Sequence, residues 1–267
     1  MSSIDSVAIT LCRLLGVPNP NGANAKPLED ILSEAERVLE DKKVEKVLAY
    51  APDAIGDVMY KSYVDDFNPV KEYAPVMVEL DSVYPSKTPI CFRSMFTGSQ
   101  PDEDEIPHLM KREVVLKETI FDILPKHDIK VAIVAASGSS IDKIFRGRSA
   151  DYFSMQYDPI VTLKVLELIR ECEYDFILAY HQEYDDVSHG GDPNGILALR
   201  AFRNNIQGFN MMAEAFNRKY RNHNRAVGFF PDHGNHYDHE KKVGTHGTKK
   251  PEDMKLRHFW GIKKGNS

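Results

Sequence analysis

The sequence predicts an α/β protein with a mostly parallel sheet sandwiched by helices. Amphipathic helical stretches alternate four times with short apolar runs. Those runs are apolar throughout rather than at every second position, as in strands covered on both faces. The length, 267 residues at 42% hydrophobic and 28% charged, supports a core that buries roughly three-quarters of the unfolded chain's surface without staples. This composition excludes a disordered, collagen-like or coiled-coil chain.

In the first cycle Leu28, Ile31, Leu32, Ala35, Val38 and Leu39 recur at helical spacing and lead into an apolar run over 44–50. In the second, residues 112–124 repeat the helical pattern ahead of a buried run over 130–136. The third joins a helix over 159–169 to a strand over 174–180. The fourth joins a long helix over 195–220 to a strand over 225–230. No repeat, low-complexity tract or linker interrupts the series. Residues 1–267 therefore read as a single domain, its core over about 44–262 and its segment 1–43 helical. The acidic stretch 102–105 reads as a solvated loop.

With 34 basic and 40 acidic residues, a net charge of −6, no basic face is indicated, which argues against sequence-independent nucleic-acid binding. Cys12, Cys91 and Cys172 are odd in number and at no ligand spacing, so a reducing compartment is expected. No apolar run reaches the roughly 18–20 residues needed to span a bilayer, and the first residues lack a signal-peptide pattern. The expectation is a cytoplasmic protein without a membrane partner; its oligomeric state is left open.

Ligands of a parallel sheet gather beyond the carboxyl ends of its strands, and three of the four runs end in candidate metal ligands. Asp53 follows the first run, though by itself an Asp there reads more readily as a helix cap or turn residue. Asp185 and His189 follow the third, four residues apart; they converge if the segment coils helically, whereas Gly190-Gly191 would also close an ordinary polar loop. Asp232-His233-Gly234 follows the fourth, with Gly234 permitting a tight turn. His246 stands between Gly244 and Gly247. Four histidines fall between positions 233 and 246, against ten in the whole chain, a density that random surface histidine does not explain. His236 and His239 belong to no motif and are expected to be exposed loop residues.

Thr88-Pro89 opens another helix, with Thr88 as N-cap and Pro89 in the first helical position. Thr88 either only caps this helix or does chemistry from it. A helix N-terminus offers free N–H groups and positive potential to an anion, and a hydroxyl there can attack phosphorus once a metal lowers its pKa. Lys87 and Arg93 are candidate phosphate contacts or structural cations.

Together these segments resemble the alkaline phosphatase superfamily, most closely its nucleotide pyrophosphatase/phosphodiesterase branch. The branch's Lys-Thr, eight residues, Thr-Gly, two residues, Pro-acidic pattern fits Lys87-Thr88, Thr97-Gly98 and Pro101-Asp102 without a gap. Asp53, Asp185 with His189, Asp232-His233-Gly234 and His246-Gly247 match its metal motifs in order, over about 47–248. The resemblance implies Thr88 as nucleophile and two divalent ions. Asp53, Thr88, Asp232 and His233 would hold one ion, and Asp185, His189 and His246 the other. Such oxygen and imidazole ligands suit zinc, with manganese and iron as alternatives. The implied activity is hydrolysis of a small phosphodiester, pyrophosphate or related phosphate ester through a covalent phospho-threonine.

The chain also departs from the pattern. Asp104-Glu105-Ile106 stands where members carry a His-Gly-Ile turn, and no Asn lies between Ser99 and Arg112, where diesterases place a phosphate-contacting one. The chain is too short for the cap of the superfamily's phosphoglycerate mutases, and Pro85-Ser86-Lys87-Thr88 lacks the sulfatase Cys/Ser-x-Pro-x-Arg. A phosphonate hydrolase or phosphomonoesterase with the same site is one alternative, and a non-catalytic metal-binding protein with a vestigial site another. A serine hydrolase acting through Ser139 or Ser140 is disfavoured, because 135–140 lacks the Gly-x-Ser-x-Gly elbow. The cations and aromatics of 146–154 fit a nucleotide pocket or an ordinary surface loop.

Overall fold

The structure, a computed structural model, describes residues 2–266. The strands β1 (Lys46–Pro52), β2 (Val76–Asp81), β3 (Val131–Ala136), β4 (Asp151–Met155), β5 (Phe176–His181) and β6 (Arg225–Phe229) build the main sheet with a late strand. A hairpin of β7 (His236–Asp238) and β8 (Val243–Thr245) lies apart from it, and β9 (Lys255–Lys263) completes the sheet. The order is β2-β9-β6-β1-β5-β3-β4. β1 is parallel to β5 and β6, and β3 to β4 and β5, while β9 is antiparallel to both β6 and β2. The fold is thus α/β with a mostly parallel sheet, as the alternation predicts.

Uniformly apolar strands fill two faces at once. Val47, Ala49, Ile133, Leu178 and Tyr180 point into one core, with the helices Ser6–Leu15, Glu29–Leu39, Thr88–Thr97 and Ile120–Lys126. Leu48, Tyr50, Val134, Ile177 and Val227 point into the other, against the helices Asp158–Glu171 and Ile196–Lys219. This is the period-two alternation of a strand. Segment 2–43 is therefore part of the first core, through Ile4, Val7, Leu11 and Ile31.

Two local readings change and a third holds. The helical pattern over 112–124 holds only for Ile120–Lys126, because the Thr119 N–H donates to the Asp122 carboxylate (2.7 Å) and starts the helix there. Upstream, Arg112 takes a left-handed φ of 58° and Leu116 is exposed. Residues 146–154 are not a plain loop: Gly147, Arg148 and Ser149 line a cavity with Lys117, Glu118 and Lys126, and the segment runs into edge strand β4, with Arg148 paired to Asp122 (2.9 Å) and Arg146 over the Tyr152 ring. Ser139 is the N-cap of the helix Ser140–Ile144, accepting the Asp142 N–H (3.2 Å), which gives it a structural role rather than that of a nucleophile.

Candidate active site

The carboxyl ends of β1, β5 and β6 share one edge of the sheet. β2, antiparallel to β9 as β6 is, delivers its own end to that edge and so carries the helix Thr88–Thr97 there. The loop after β1 turns sharply at Ala54, whose N–H donates to Asp232 Oδ1 (3.2 Å). It then presses onto the loop after β6: a Cβ on Gly56 would lie 2.7 Å from the Gly234 Cα. Glycine at both positions allows these backbones to meet.

Two groups of ligand atoms result. In the first, Asp53, Asp232 and His233 present atoms within 4.8 Å of one another. His233 Nε2 lies 3.3 Å from Asp53 Oδ1 and 3.4 Å from Asp232 Oδ2. Thr88 Oγ1 sits beside them, 3.2 Å from His233 Nε2 and 3.3 Å from Asp53 Oδ2. Thr88 is the first helical residue and Lys87 holds the cap position, one residue from the expected register.

In the second group, the short helix Glu183–Ser188 brings Asp185 and His189 together, and His246 joins from the exit of the β7–β8 hairpin. His189 Nε2 is 3.2 Å from Asp185 Oδ2 and 3.2 Å from His246 Nε2. The His233 and His246 rings stack at 3.9 Å, so the two groups adjoin.

The hydrogen bonds behind the imidazoles orient them. Nδ1 of His233 faces the Gly234 carbonyl (3.0 Å), that of His246 the Ser86 carbonyl (2.7 Å) and that of His189 the Gly244 carbonyl (3.0 Å). A carbonyl only accepts, so each Nδ1 carries a proton and each Nε2 is turned to the site, as in metal-ligating histidines. Buried Asp185 Oδ1 and Asp232 Oδ2 have no hydrogen-bond donor. The site is rich in acceptors and poor in donors, a set that fits divalent cations.

The electrostatics agree. Burial, then the charges of Asp232 and Asp185, push the Asp53 carboxyl well above the usual range; burial does the same to Asp232. Burial also pushes Asp185 upward, but His189, His246 and His233 together bring it down to about 2. The hydrogen bond to Asp185 raises His189 to about 8, so a proton there partly meets the need for positive charge. Burial lowers His233 and His246.

The Lys87 side chain lies along Gly247, where a Cβ would come within 3.1 Å of its ammonium. Its charge helps to depress His233 and His246. Arg93 takes the structural alternative: its guanidinium is buried, and its Nη atoms donate to the Ser99 and Gln100 carbonyls (2.7 and 2.9 Å) and to Glu105 (2.5 Å). His236 is a correction, since it is largely covered and bonded to Asp253 (2.7 Å), whereas His239 is exposed. Two site residues went unforeseen: Tyr180, which donates to Asp53, and Ser86, which holds the His246-Gly247 backbone and ring.

No protein-family model matches the chain, and no curated sequence does. Solved structures do. The C-terminal periplasmic domain of phosphoethanolamine transferase EptC from Campylobacter jejuni matches with a TM-score of 0.57 at 13% identity, over 82% of this chain and 80% of that one; an Escherichia coli counterpart was solved with zinc. Phosphonoacetate hydrolase from Sinorhizobium meliloti, in complex with phosphonoformate, matches at 0.52 and 16% identity, over 77% and 61%. Murine ectonucleotide pyrophosphatase/phosphodiesterase 5, an inactive variant in complex with AMP, matches at 0.54 and 16%, over 74% and 59%.

The EptC matches correct the cytoplasmic expectation, because this fold serves in periplasmic domains. Unpaired cysteines do not fix the compartment of a protein whose core is large enough to stand without disulfides. Among the described residues no helix is long and apolar enough to cross a membrane. At the level of fold the resemblance is shown: the chain has the architecture of the alkaline phosphatase superfamily, a fold it shares with the nucleotide pyrophosphatase/phosphodiesterase branch.

Proposed function

We propose that the protein is a two-metal hydrolase of small phosphodiesters, pyrophosphates or related phosphate esters, with Thr88 as its nucleophile. The carrying observation is the position of Thr88 Oγ1, within 3.2–3.4 Å of Asp53 and His233 at a helix start, beside the second ligand group. Asp53, Asp232 and His233, with Thr88, would hold one divalent ion, and Asp185, His189 and His246 the other. When bound, such ions lower the hydroxyl pKa and offset charge on the phosphoryl oxygens.

The chain's own residues supply the rest. Asp53 and His233 fix the Thr88 hydroxyl, and Tyr180 holds Asp53. The Thr88 hydroxyl gives up its proton to solvent and Oγ1 attacks phosphorus in line. The bond to the leaving oxygen breaks and that oxygen takes a proton from water. A second water hydrolyses the phospho-threonine, releasing phosphate from a monoester substrate or a phosphate monoester from a diester. Lys87 attracts a non-bridging phosphate oxygen. A second reading, a phosphonate hydrolase or phosphomonoesterase with the same site, draws support from the lack of the diesterase asparagine between Ser99 and Arg112.

The test is hydrolysis of p-nitrophenyl phosphate, bis-p-nitrophenyl phosphate and a p-nitrophenyl phosphonate ester by metal-stripped protein, with and without zinc or manganese, beside Thr88→Ala. Metal-dependent release that falls roughly 10³-fold or more in the variant is expected, and the preferred ester identifies the subclass. A Thr88→Ala variant with near-normal rates removes the nucleophile assignment.

A further inference from the structure

The two ligand groups are built differently. Asp53 directly follows β1, and Asp232 and His233 lie three and four residues beyond β6, in loops held by the main sheet, whereas His246 comes from the exit of the separate β7–β8 hairpin. That hairpin also orients His189, whose Nδ1–H donates to the Gly244 carbonyl, and the Gly244 N–H donates to the Gly191 carbonyl (2.7 Å). Both imidazoles of the second group thus depend on where the hairpin lies.

The base of the hairpin closes on one fully buried carboxylate. Asp253 Oδ1 accepts from His236 Nδ1 (2.7 Å), at the start of β7. Asp253 Oδ2 accepts from the Thr248 N–H (2.8 Å) and hydroxyl (2.6 Å), two residues beyond His246. Asp253 is 0% exposed, just ahead of β9, whose register with β2 and β6 anchors it to the sheet. Its link to the other group runs through the backbone alone, the Gly234 N–H donating to its carbonyl (3.0 Å).

We propose that Asp253, acting with His236, is a positioning residue that sets the metal affinity of the Asp185–His189–His246 group and leaves the Asp53–Asp232–His233 group to the sheet. The inference rests on the two-metal reading. Loss of partners behind metal ligands lowers affinity about 10–100-fold, and here the loss falls on one ion of two.

The test is zinc titration of the full chain against a chromophoric chelator, for wild type, Asp253→Ala, His236→Ala and His236→Asn. Asp232→Asn and His189→Ala serve as references for the first and second group. Circular dichroism of the metal-free proteins reports folding. Expected are one ion bound within about threefold of wild type and the other weakened about 10–100-fold in both alanine variants. His236→Asn, whose amide nitrogen sits where Nδ1 does and can still donate to Asp253, recovers most of the loss, which a general loss of stability would not do. If Asp253→Ala does not fold, the milder His236→Ala decides. Equal weakening of both ions, or an unchanged second ion in a folded alanine variant, overturns the proposal. A wild-type protein that binds fewer than two ions overturns the two-metal reading and this inference with it.

Discussion

The Tyr180 hydroxyl donates to the Asp53 carboxylate, which lies 3.3 Å from the Thr88 hydroxyl. Tyr180 is buried at the end of β5, and its hydrogen bond opposes the burial and neighbouring charge that push the Asp53 pKa upward. Tyr180→Phe should therefore raise the Asp53 pKa further. A ligand must lose its proton to bind metal, so the pH of half-maximal zinc loading should move upward and affinity should fall about tenfold. Zinc titrations across pH 5–8 check this; superimposable loading curves for the two proteins would show that the phenol does not tune Asp53.

Lys87 should act on substrate rather than on the fold. It lies along Gly247 at the site, and its charge opposes protonation of all three of the site's histidines. Lys87→Met is expected to raise KM about tenfold for a dianionic ester, with a smaller change in kcat, since a ground-state phosphate contact is lost. Steady-state kinetics on the preferred p-nitrophenyl ester measure this, and an unchanged KM would place the ammonium outside substrate contact.

Arg93 should show the reverse pattern. Removing it strands the Ser99 and Gln100 carbonyls and leaves Glu105 without its cationic partner. Arg93→Met should cost roughly 3 kcal/mol of stability while KM stays unchanged in the fraction that remains folded. Urea unfolding and kinetics on one preparation separate the two effects. A raised KM at unaltered stability would return Arg93 to the substrate.

The sequence revealed the architecture where one signal acts alone, and the site where several motifs agree in order. The runs ending near Asp53, Asp185 and Asp232 are apolar at every position because each strand is covered on both faces, so they stand out against helical neighbours. β2 escaped because its exposed Met77 and Glu79 and partly covered Val76 and Val78 look like surface loop, and β9 because Lys255, Arg257 and His258 interrupt its apolar pattern. Both are nevertheless essential to the site, since they carry Thr88 and Asp253 to the ligand edge. Tyr180 was within reach of the alternation in β5, which puts positions 176, 178 and 180 on the face of the Thr88 helix. The pairing of His236 with Asp253 was not, because it spans a hairpin whose three-residue strands leave no periodic trace.

Asp158 makes the most direct pH prediction. Its carboxylate accepts the Gln182 and Glu183 N–H groups (3.1 and 2.8 Å), at the start of the helix that carries Asp185. Burial outweighs those bonds and raises its pKa from 3.8 to about 6. The fold therefore favours the protonated acid. Its contribution to stability is full below about pH 3.8 and is lost as the pH rises through about 6. A shift of this size corresponds to roughly 3 kcal/mol. Asp158→Asn, which stays neutral, should gain stability relative to wild type as the pH rises from 4 to 7. Other buried carboxylates, Asp53 and Asp232 among them, tilt both proteins alike, so the difference between the two curves isolates Asp158. Urea unfolding of chelator-treated protein at several pH values measures it. Parallel curves would mean that Asp158 is ionised in the fold throughout this range and that the two N–H donors outweigh its burial.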